Sequence, residues 1–246
     1  MVTMSTDGGT RRRRFRGLSP EERTLTRRAQ LIEAGLEAFG TRGFHAVGVR
    51  DICAEAHLTE RYFYESFENR EALFLAVYEH AVRRIRQAVG AAIADAPADI
   101  SETSRRGIRA LLETLRGEPR LARIVLIDVL TVGSDVGNQS MLVTRAFADV
   151  VLGVIERFYP DLPDQGLDPR LIAEGLVGST LFIVMQWAFT GFKESVEHLL
   201  EHSALLYDAT ARALSEGAPK PVRSRPRSSS RAERRLASQP EERRHR

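Results

Sequence analysis

The stretch Leu58-Thr59-Glu60-Arg61-Tyr62-Phe63-Tyr64-Glu65-Ser66-Phe67, LTERYFYESF, sets four aromatic side chains into six consecutive positions. The whole chain of 246 residues holds 11 Phe, 5 Tyr and 1 Trp, so rings are concentrated here. A core helix would spread them along one face. In a helix, Phe63 and Phe67 lie four apart on one face, while Tyr62 and Tyr64 point to other sides with Glu60 and Arg61. The run therefore reads as a short helix with an apolar anchor and an outer surface that is polar and aromatic at once.

Its flanks extend the pattern. Ser19-Pro20-Glu21-Glu22 opens a helix: Ser19 is the N-cap, Pro20 takes the first helical position and Glu22 reaches back as the capping-box partner. Leu31, Ile32, Gly35, Leu36 and Phe39 then recur at helical spacing until Gly43 stops the run. A second helix is expected over 49–56, with Gly48 as N-cap and Val49, Ile52, Cys53 and Ala56 on one face. Thr59 caps a third over 60–67. Asn69 caps a long fourth that carries Leu73, Phe74, Val77, Tyr78, Ala81 and Ile85 toward residue 95.

Farther on, Pro97, Pro119, Pro160, Pro163 and Pro169 cut the chain into helix-sized pieces, read as helices over 102–116, 119–132, 139–159, 168–191 and 194–215. Two-residue alternation and hairpin signals are scarce, so the fold class is all-α. Residues 1–18 and 217–246 are rich in Arg with Gly, Thr, Pro and Ser, the composition of disordered segments.

Charge is unevenly shared. The formal net charge is +3, but residues 1–30 carry eight Arg against three acids, and residues 217–246 nine Arg and one Lys against three Glu. That leaves the middle at −9. Basic ends on an acidic body seek an anionic polymer or surface. One cysteine, Cys53, rules out an internal disulfide, and on the apolar face of the second helix it reads as core filling. The basic N-terminal run lacks the apolar region of a signal peptide. No uninterrupted apolar run long enough to span a bilayer is read, and a cytoplasmic protein is expected.

Helices over 20–41, 49–56 and 60–67, with the break His57-Leu58-Thr59 between the last two, make a helix-turn-helix. Such a pair lets the first helix brace while the second lies in the DNA major groove. Phe63 and Phe67 anchor it to a three-helix core. Glu60, Arg61 and Tyr62 point at the groove, and Tyr64 offers its hydroxyl to a phosphate. For Tyr62 an equal reading is packing sideways on the first helix. For Glu60 the alternative to a base contact is a favourable interaction with the helix dipole.

The run AGLEAFGTRGFHAVGVRDICAEAHLTERYFYESFENREALFLAVY, residues 34–78, resembles the N-terminal DNA-binding domain of TetR-family (tetracycline-repressor-like) transcriptional regulators. The matching features are Ala34, Phe39, Gly43-Phe44, the VRDIC helix, the LTERYFY recognition helix, Phe67 and the NREAL opening of helix four. The resemblance implies DNA contacts from Arg50, from Thr59, Glu60, Arg61 and Tyr62 at the start of the recognition helix, from Tyr64 to phosphate, and from Arg70 to the DNA backbone. Three positions depart from the family pattern. His57 replaces the usual turn glycine, which is strained if that position needs positive φ. Gly48 stands for a capping threonine, and Arg61 and Tyr62 stand where small residues are frequent.

The family layout further implies a basic arm (1–18), a DNA-binding domain (19–75), a helical effector-binding and dimerisation domain (76–216) and a basic tail (217–246). The arm is placed to reach the minor groove or nearby phosphates; the tail either binds nucleic acid or merely solubilises. For the dimer interface, the stripe Val196, Leu199, Leu200, Leu206 and Leu214 is the candidate, though a helix facing its own core would show the same stripe. Phe147, Phe182, Met185 and Phe189 are the candidate ligand pocket, with ordinary core packing as the alternative and an apolar or aromatic effector expected. His198 and His202, four apart, lack the further ligands of a metal site, so no metal and no cofactor is expected.

The expected function is thus a homodimeric regulator of a near-palindromic operator on double-stranded DNA, a repressor released by a small-molecule effector. Two rivals stand beside it: a module tethered to nucleic acid without operator specificity, and an all-helical enzyme. The second finds no HExxH, P-loop or G-x-S-x-G motif, and the chain is expected not to be an enzyme.

Overall fold

The computed structural model describes residues 19–132 and 136–216. The basic arm and the basic tail lie outside the described residues, as does the expectation that they are disordered. Among the described residues every regular element is helical, as expected.

Four local signals set up the head. Ser19 caps α1 (Pro20–Arg42): its hydroxyl accepts from the Glu22 N–H at 3.1 Å, and the Glu22 carboxylate accepts from the Ser19 N–H at 2.6 Å. Gly43, at φ 88°, ends α1 and donates its N–H to the Phe39 carbonyl. One 3-10 turn (Phe44–Ala46) leads to α2 (Val49–Glu55), where Asp51 accepts from the Gly48 N–H at 2.8 Å. Asn69 caps α4 (Arg70–Ala94) by accepting from the Ala72 N–H at 2.7 Å.

Between α2 and α3 (Glu60–Ser66) the chain turns through His57, which sits at φ 52°. There the Leu58 N–H reaches the Cys53 carbonyl at 2.9 Å and the His57 N–H the Ala54 carbonyl at 3.2 Å, the paired bonds of a Schellman closure. The left-handed residue of that motif is usually glycine, so the strain anticipated for His57 is real.

The head's core is aromatic. Phe39, Phe44 and Phe74 form a triangle with ring centroids 5.2–5.7 Å apart. Phe63 is fully buried and lies 6.0 Å from the Phe67 ring. Burial of each such side chain contributes about 1.5–3 kcal/mol, far more than a seven-residue helix gains from its own hydrogen bonds.

Helix α4 runs about 37 Å at 1.5 Å per residue and carries the chain from head to body. There α5 (Ile100–Gly117) packs between α4 and α9 (Val196–Ser215), and α7 (Val136–Phe158) pairs with α8 (Pro169–Phe189). Segment 119–132, read from the sequence as one helix, is different. A single α turn, α6 (Pro119–Ala122), widens into a π turn (Arg123–Ile127) and then tightens into a 3-10 turn (Asp128–Leu130).

Contacts with the head account for that irregularity. A Cβ on Gly40 would lie 2.5 Å from the Arg120 Cβ, so α6 touches α1 backbone to backbone. Glu37 pairs with Arg120, the Arg123 guanidinium donates to the Thr41 carbonyl at 3.3 Å, and the buried Asp128 carboxylate accepts from the Phe44 N–H at 3.2 Å. Meeting all three partners bends the segment out of α-helical register.

Helix α8 also departs from the sequence reading. It is long and apolar enough, by composition, to cross a membrane. Its inner face, Ala173, Val177, Thr180, Val184 and Trp187, packs on the body, while Leu171, Phe182 and Phe189 face outward. A helix apolar all round has two faces to cover, and the protomer covers one.

Gly40→Ala is expected to lower stability by about 1–3 kcal/mol through forced separation of α1 and α6, read as a lower urea midpoint. His57→Gly is expected to gain up to about 1 kcal/mol by relieving the left-handed backbone, against a loss of about 1–2 kcal/mol for His57→Val. Equal midpoints for these two His57 variants would contradict the strain.

Candidate functional site

Helix α3 and the start of α2 present one exposed surface. Arg50 is 90% exposed in its side chain and pairs with Glu60 at 3.0 Å; Arg61 is 83% exposed and pairs with Glu65 at 3.0 Å. Tyr64 stands out from α3 at 59% exposure, its ring edge-on to Phe63 at 5.3 Å, so the anchor in the core orients the ring on the surface. Thr59 is exposed. Its hydroxyl makes no capping bond, and its carbonyl accepts from the Tyr62 N–H at 3.0 Å.

Two of the expected DNA-facing side chains are engaged elsewhere. Tyr62 is half-buried beneath Arg27 of α1, whose guanidinium carbon lies 4.4 Å from the ring centroid. Sideways packing on the first helix is thus the arrangement found. Arg70 lies over the Phe44 ring at 4.2 Å and donates to the Val47 carbonyl at 2.8 Å. Such a guanidinium braces the turn before α2, and a backbone contact to DNA from this position would have to give up that bond. The resemblance supplied a cation here, but the pairing with an aromatic ring 26 positions earlier was invisible in the spacing.

Electrostatically the head is unusual for a surface facing DNA. Residues 19–75 hold seven arginines and ten carboxylates, a net −3. Besides the two pairs on the α3 surface, Arg42 meets Asp51 at 3.4 Å and Arg27 meets Glu65 at 3.8 Å. The Gly48 N–H and then Arg42 hold the Asp51 carboxyl below the usual carboxylate range.

The body holds a cavity of about 90 Å³ enclosed by α4, α5, α7, α8 and α9. Aliphatic side chains dominate its wall, among them Val89, Ile108, Val151, Leu176 and Leu181, and no charged residue lines it. Hydroxyls supply the polar groups. Tyr207 and Thr180 lie 3.2 Å apart, and Thr180 also donates to the Leu176 carbonyl at 2.9 Å. Burial pushes the Tyr207 phenol up from its ordinary value.

Of the four expected pocket residues only Phe147 lines this cavity. Phe182 and Phe189 are 60% and 56% exposed on the outer face of α8, and Met185 is half-buried away from the cavity wall. The three expected residues of α8 lie off the face that lines the cavity, because an all-round apolar helix gives no phase. The hydroxyls of Thr180 and Tyr207 were overlooked. Tyr207 stands in the stripe of Ser203, Ala204, Ala211 and Leu214 that faces the protomer, the one signal that could have flagged it.

The expected dimer stripe needs the same correction. Val196, Leu199, Leu200 and Leu214 are buried within their own protomer, while Leu206 is exposed beside Leu205. Four of the five side chains are therefore covered already and offer nothing to a second copy. His198 and His202 stack on the outer surface of α9 with ring centroids 4.4 Å apart, and no cluster of three or more metal-ligating side chains occurs among the described residues.

Asp128 connects this body to the head, and its protonation has a defined sign. Burial raises its carboxyl above the ordinary value of 3.8, with Arg123 and the Phe44 N–H pulling it back. The folded chain thus holds this proton more tightly than the unfolded one. The resulting stabilisation is complete below pH 3.8 and is lost as pH rises through the higher folded value. Asp128→Asn removes that dependence. Urea melts from about pH 4 to about pH 7 are expected to shift the wild-type-to-variant difference steadily in the variant's favour; a constant difference would contradict the burial effect.

Comparison with known proteins places the chain. Residues 31–77 match the family described as bacterial regulatory proteins, tetR family. The chain is 27% identical over 164 residues to the HTH-type transcriptional activator FasR of Mycolicibacterium smegmatis, covering 65% of this chain and 72% of that one. It is 25% identical over 177 residues to the HTH-type transcriptional repressor DhaR of a Mycobacterium species, covering 70% and 88%. Among solved structures, the transcriptional regulator FadR from Bacillus subtilis, in complex with stearoyl-CoA, superposes with TM-score 0.60 at 17% identity over 78% of this chain and 99% of that one. At that identity the likeness establishes the fold. The helix-turn-helix head is thus a DNA-binding domain of the tetR family, and the two relatives that the longer span resembles are HTH-type transcriptional regulators.

Proposed function

We propose that the protein is a homodimeric repressor of a near-palindromic operator, working in the cytoplasm and released by an apolar small molecule. The single observation that carries the DNA half is the exposed surface formed by Arg50, Arg61 and Tyr64 around a recognition helix whose phenylalanines are locked in the core. A short helix so held presents its N-terminal turn rigidly, as groove reading requires. Thr59 and Glu60 join this surface; Tyr62 and Arg70 serve it from behind as packing residues.

The exposed apolar side chains of α8 and α9 support a second copy. Phe182, Phe189, Leu205 and Leu206 are exposed there, and Gly175 and Gly178 leave open space beside them. Large apolar side chains grouped on one face mark an interface, and two half-sites in successive grooves call for two heads.

For the effector, the uncharged aliphatic wall of the cavity favours a hydrocarbon chain, with one oxygen function near Tyr207 and Thr180. The solved FadR neighbour holds a stearoyl-CoA, and a long acyl chain is the natural first probe. Occupation would release DNA only through different affinity for the DNA-bound and free states. The contacts of Arg120 and Arg123 with α1, and of Asp128 with the turn after it, give such a difference a path to the head. As to sign, relatives at 25–27% identity include one repressor and one activator; repression is our reading.

Two measurements test this. Binding to DNA flanking its own gene, at near-physiological salt, is expected to fall about 10-fold or more in Arg61→Ala and several-fold in Tyr64→Phe, in line with roughly 1–3 kcal/mol for a good base contact. Binding no tighter than to unrelated DNA, unaltered by either change, would sink operator reading at this locus. A long-chain acyl-CoA is expected to raise the melting temperature of wild type and not of Leu176→Trp, which fills the cavity; equal shifts in both would place the ligand elsewhere.

A further inference from the structure

The recognition surface contains more carboxylate than arginine. From Glu60 to Glu68 the chain carries Glu60, Glu65 and Glu68 against Arg61 alone, in a head that is net −3. DNA binding ordinarily draws its affinity from cations that displace counterions from phosphates. Here the two most exposed arginines of the surface, Arg50 and Arg61, each meet a carboxylate of α3 at 3.0 Å. Glu65 serves two elements at once, holding Arg61 along α3 and Arg27 of α1 at 3.8 Å. The side chains of Glu60 and Glu65 are 46% and 39% exposed, so both remain at the surface the DNA would meet.

Ion pairs this exposed are worth little. Opening them to hand an arginine to DNA is therefore cheap. What remains is the cost of bringing a bare carboxylate toward phosphates, and that cost depends on sequence. Against non-operator DNA the arginine leaves for the nearest phosphate and the carboxylate is left facing negative charge. At a matching site it finds a donor, such as the amino group of cytosine, or keeps its arginine while that arginine reads a base. The energy separating those outcomes is discrimination gained by repulsion from the wrong partner rather than attraction to the right one.

We propose that Glu60 and Glu65 are specificity-determining residues of this interface: paired to Arg50 and Arg61, they suppress binding to non-operator DNA and thereby confine the head to its operator. The proposal rests on α3 being the groove-entering helix, and it goes beyond that reading by giving its acidic side chains a function.

The experiment begins with the full-length chain selecting its preferred duplex from a random library. Affinities of wild type, Glu60→Gln and Glu60→Gln/Glu65→Gln are then measured for that duplex and for poly(dA-dT), which holds no cytosine, across a salt series. Glu156→Gln, on α7 in the body, controls for net charge. Loss of one opposing carboxylate is expected to steepen the salt slope for poly(dA-dT) by about 0.9 and to raise that affinity roughly fivefold at physiological salt. Affinity for the selected duplex stays level or falls, so the ratio of the two drops fivefold or more per residue. Glu156→Gln leaves both unchanged.

An unaltered affinity for poly(dA-dT) would overturn the proposal, as would an equal rise on both duplexes, which would make the carboxylates a general brake with no part in discrimination. Thermal melts accompany the series, and Glu60→Gln alone decides the matter if the double variant is destabilised through the Glu65–Arg27 contact. If wild type enriches no sequence at all, operator reading itself fails and takes this proposal with it. That result is distinct from enrichment with unchanged ratios.

Discussion

Everything proposed for the outer surface depends on Phe63 being held in the core. Helix α3 is seven residues long, too short to persist alone, since nucleating a helix is unfavourable and few bonds follow to offset it. Burial of Phe63 against the aromatic core, with Phe67 beside it, supplies what the backbone cannot. Because the two lie four apart, fixing them also fixes the rotation of α3, and so sets where Arg61 and Tyr64 point. The ring of Tyr64 rests edge-on against Phe63, which ties a surface phenol directly to the core. Half of LTERYFYESF is an anchor, and the other half is what the anchor aims.

The same economy governs the junction with the body. One irregular segment, α6 and the turns after it, carries Arg120, Arg123 and Asp128 to three successive groups of α1 and its following turn. A regular helix would have placed these side chains at fixed angular intervals, and α1 does not offer partners at those intervals. Widening and then tightening the coil solves the fit, with a buried carboxylate as the keystone. The cavity is walled by α4, α5, α7, α8 and α9, and both α4 and this seam join that body to the head.

How much of this was legible beforehand varies with the physics involved. Helix limits in the head were readable because capping is local: Ser19 with Glu22, Gly43 and Asn69 each act within a few residues of themselves. The strain at His57 was readable too, from one residue in a turn that wants glycine. Facing was a different matter wherever a helix is apolar all round. Helix α8 has Phe182 and Phe189 outside and Val177 and Thr180 inside, and periodicity cannot tell those faces apart. In α9, Leu199, Leu200 and Leu214 form a stripe that suits either a partner or the protomer's own α5, and only packing decides. Arg70 and Tyr62 show the remaining limit, since cation–ring contacts with Phe44 and Arg27 join residues with no periodic relation.

The central claim is that α3 reads base edges in the major groove at two places on one site. Methylation interference on the selected duplex tests it most directly, because methylation marks guanine N7 in the major groove and adenine N3 in the minor groove separately. The account predicts interference at guanine N7 in two clusters centred about 10 base pairs apart, one helical turn, with the cluster signals lost in Arg61→Ala. Interference confined to the minor groove, or a single cluster bound by one chain, would contradict it.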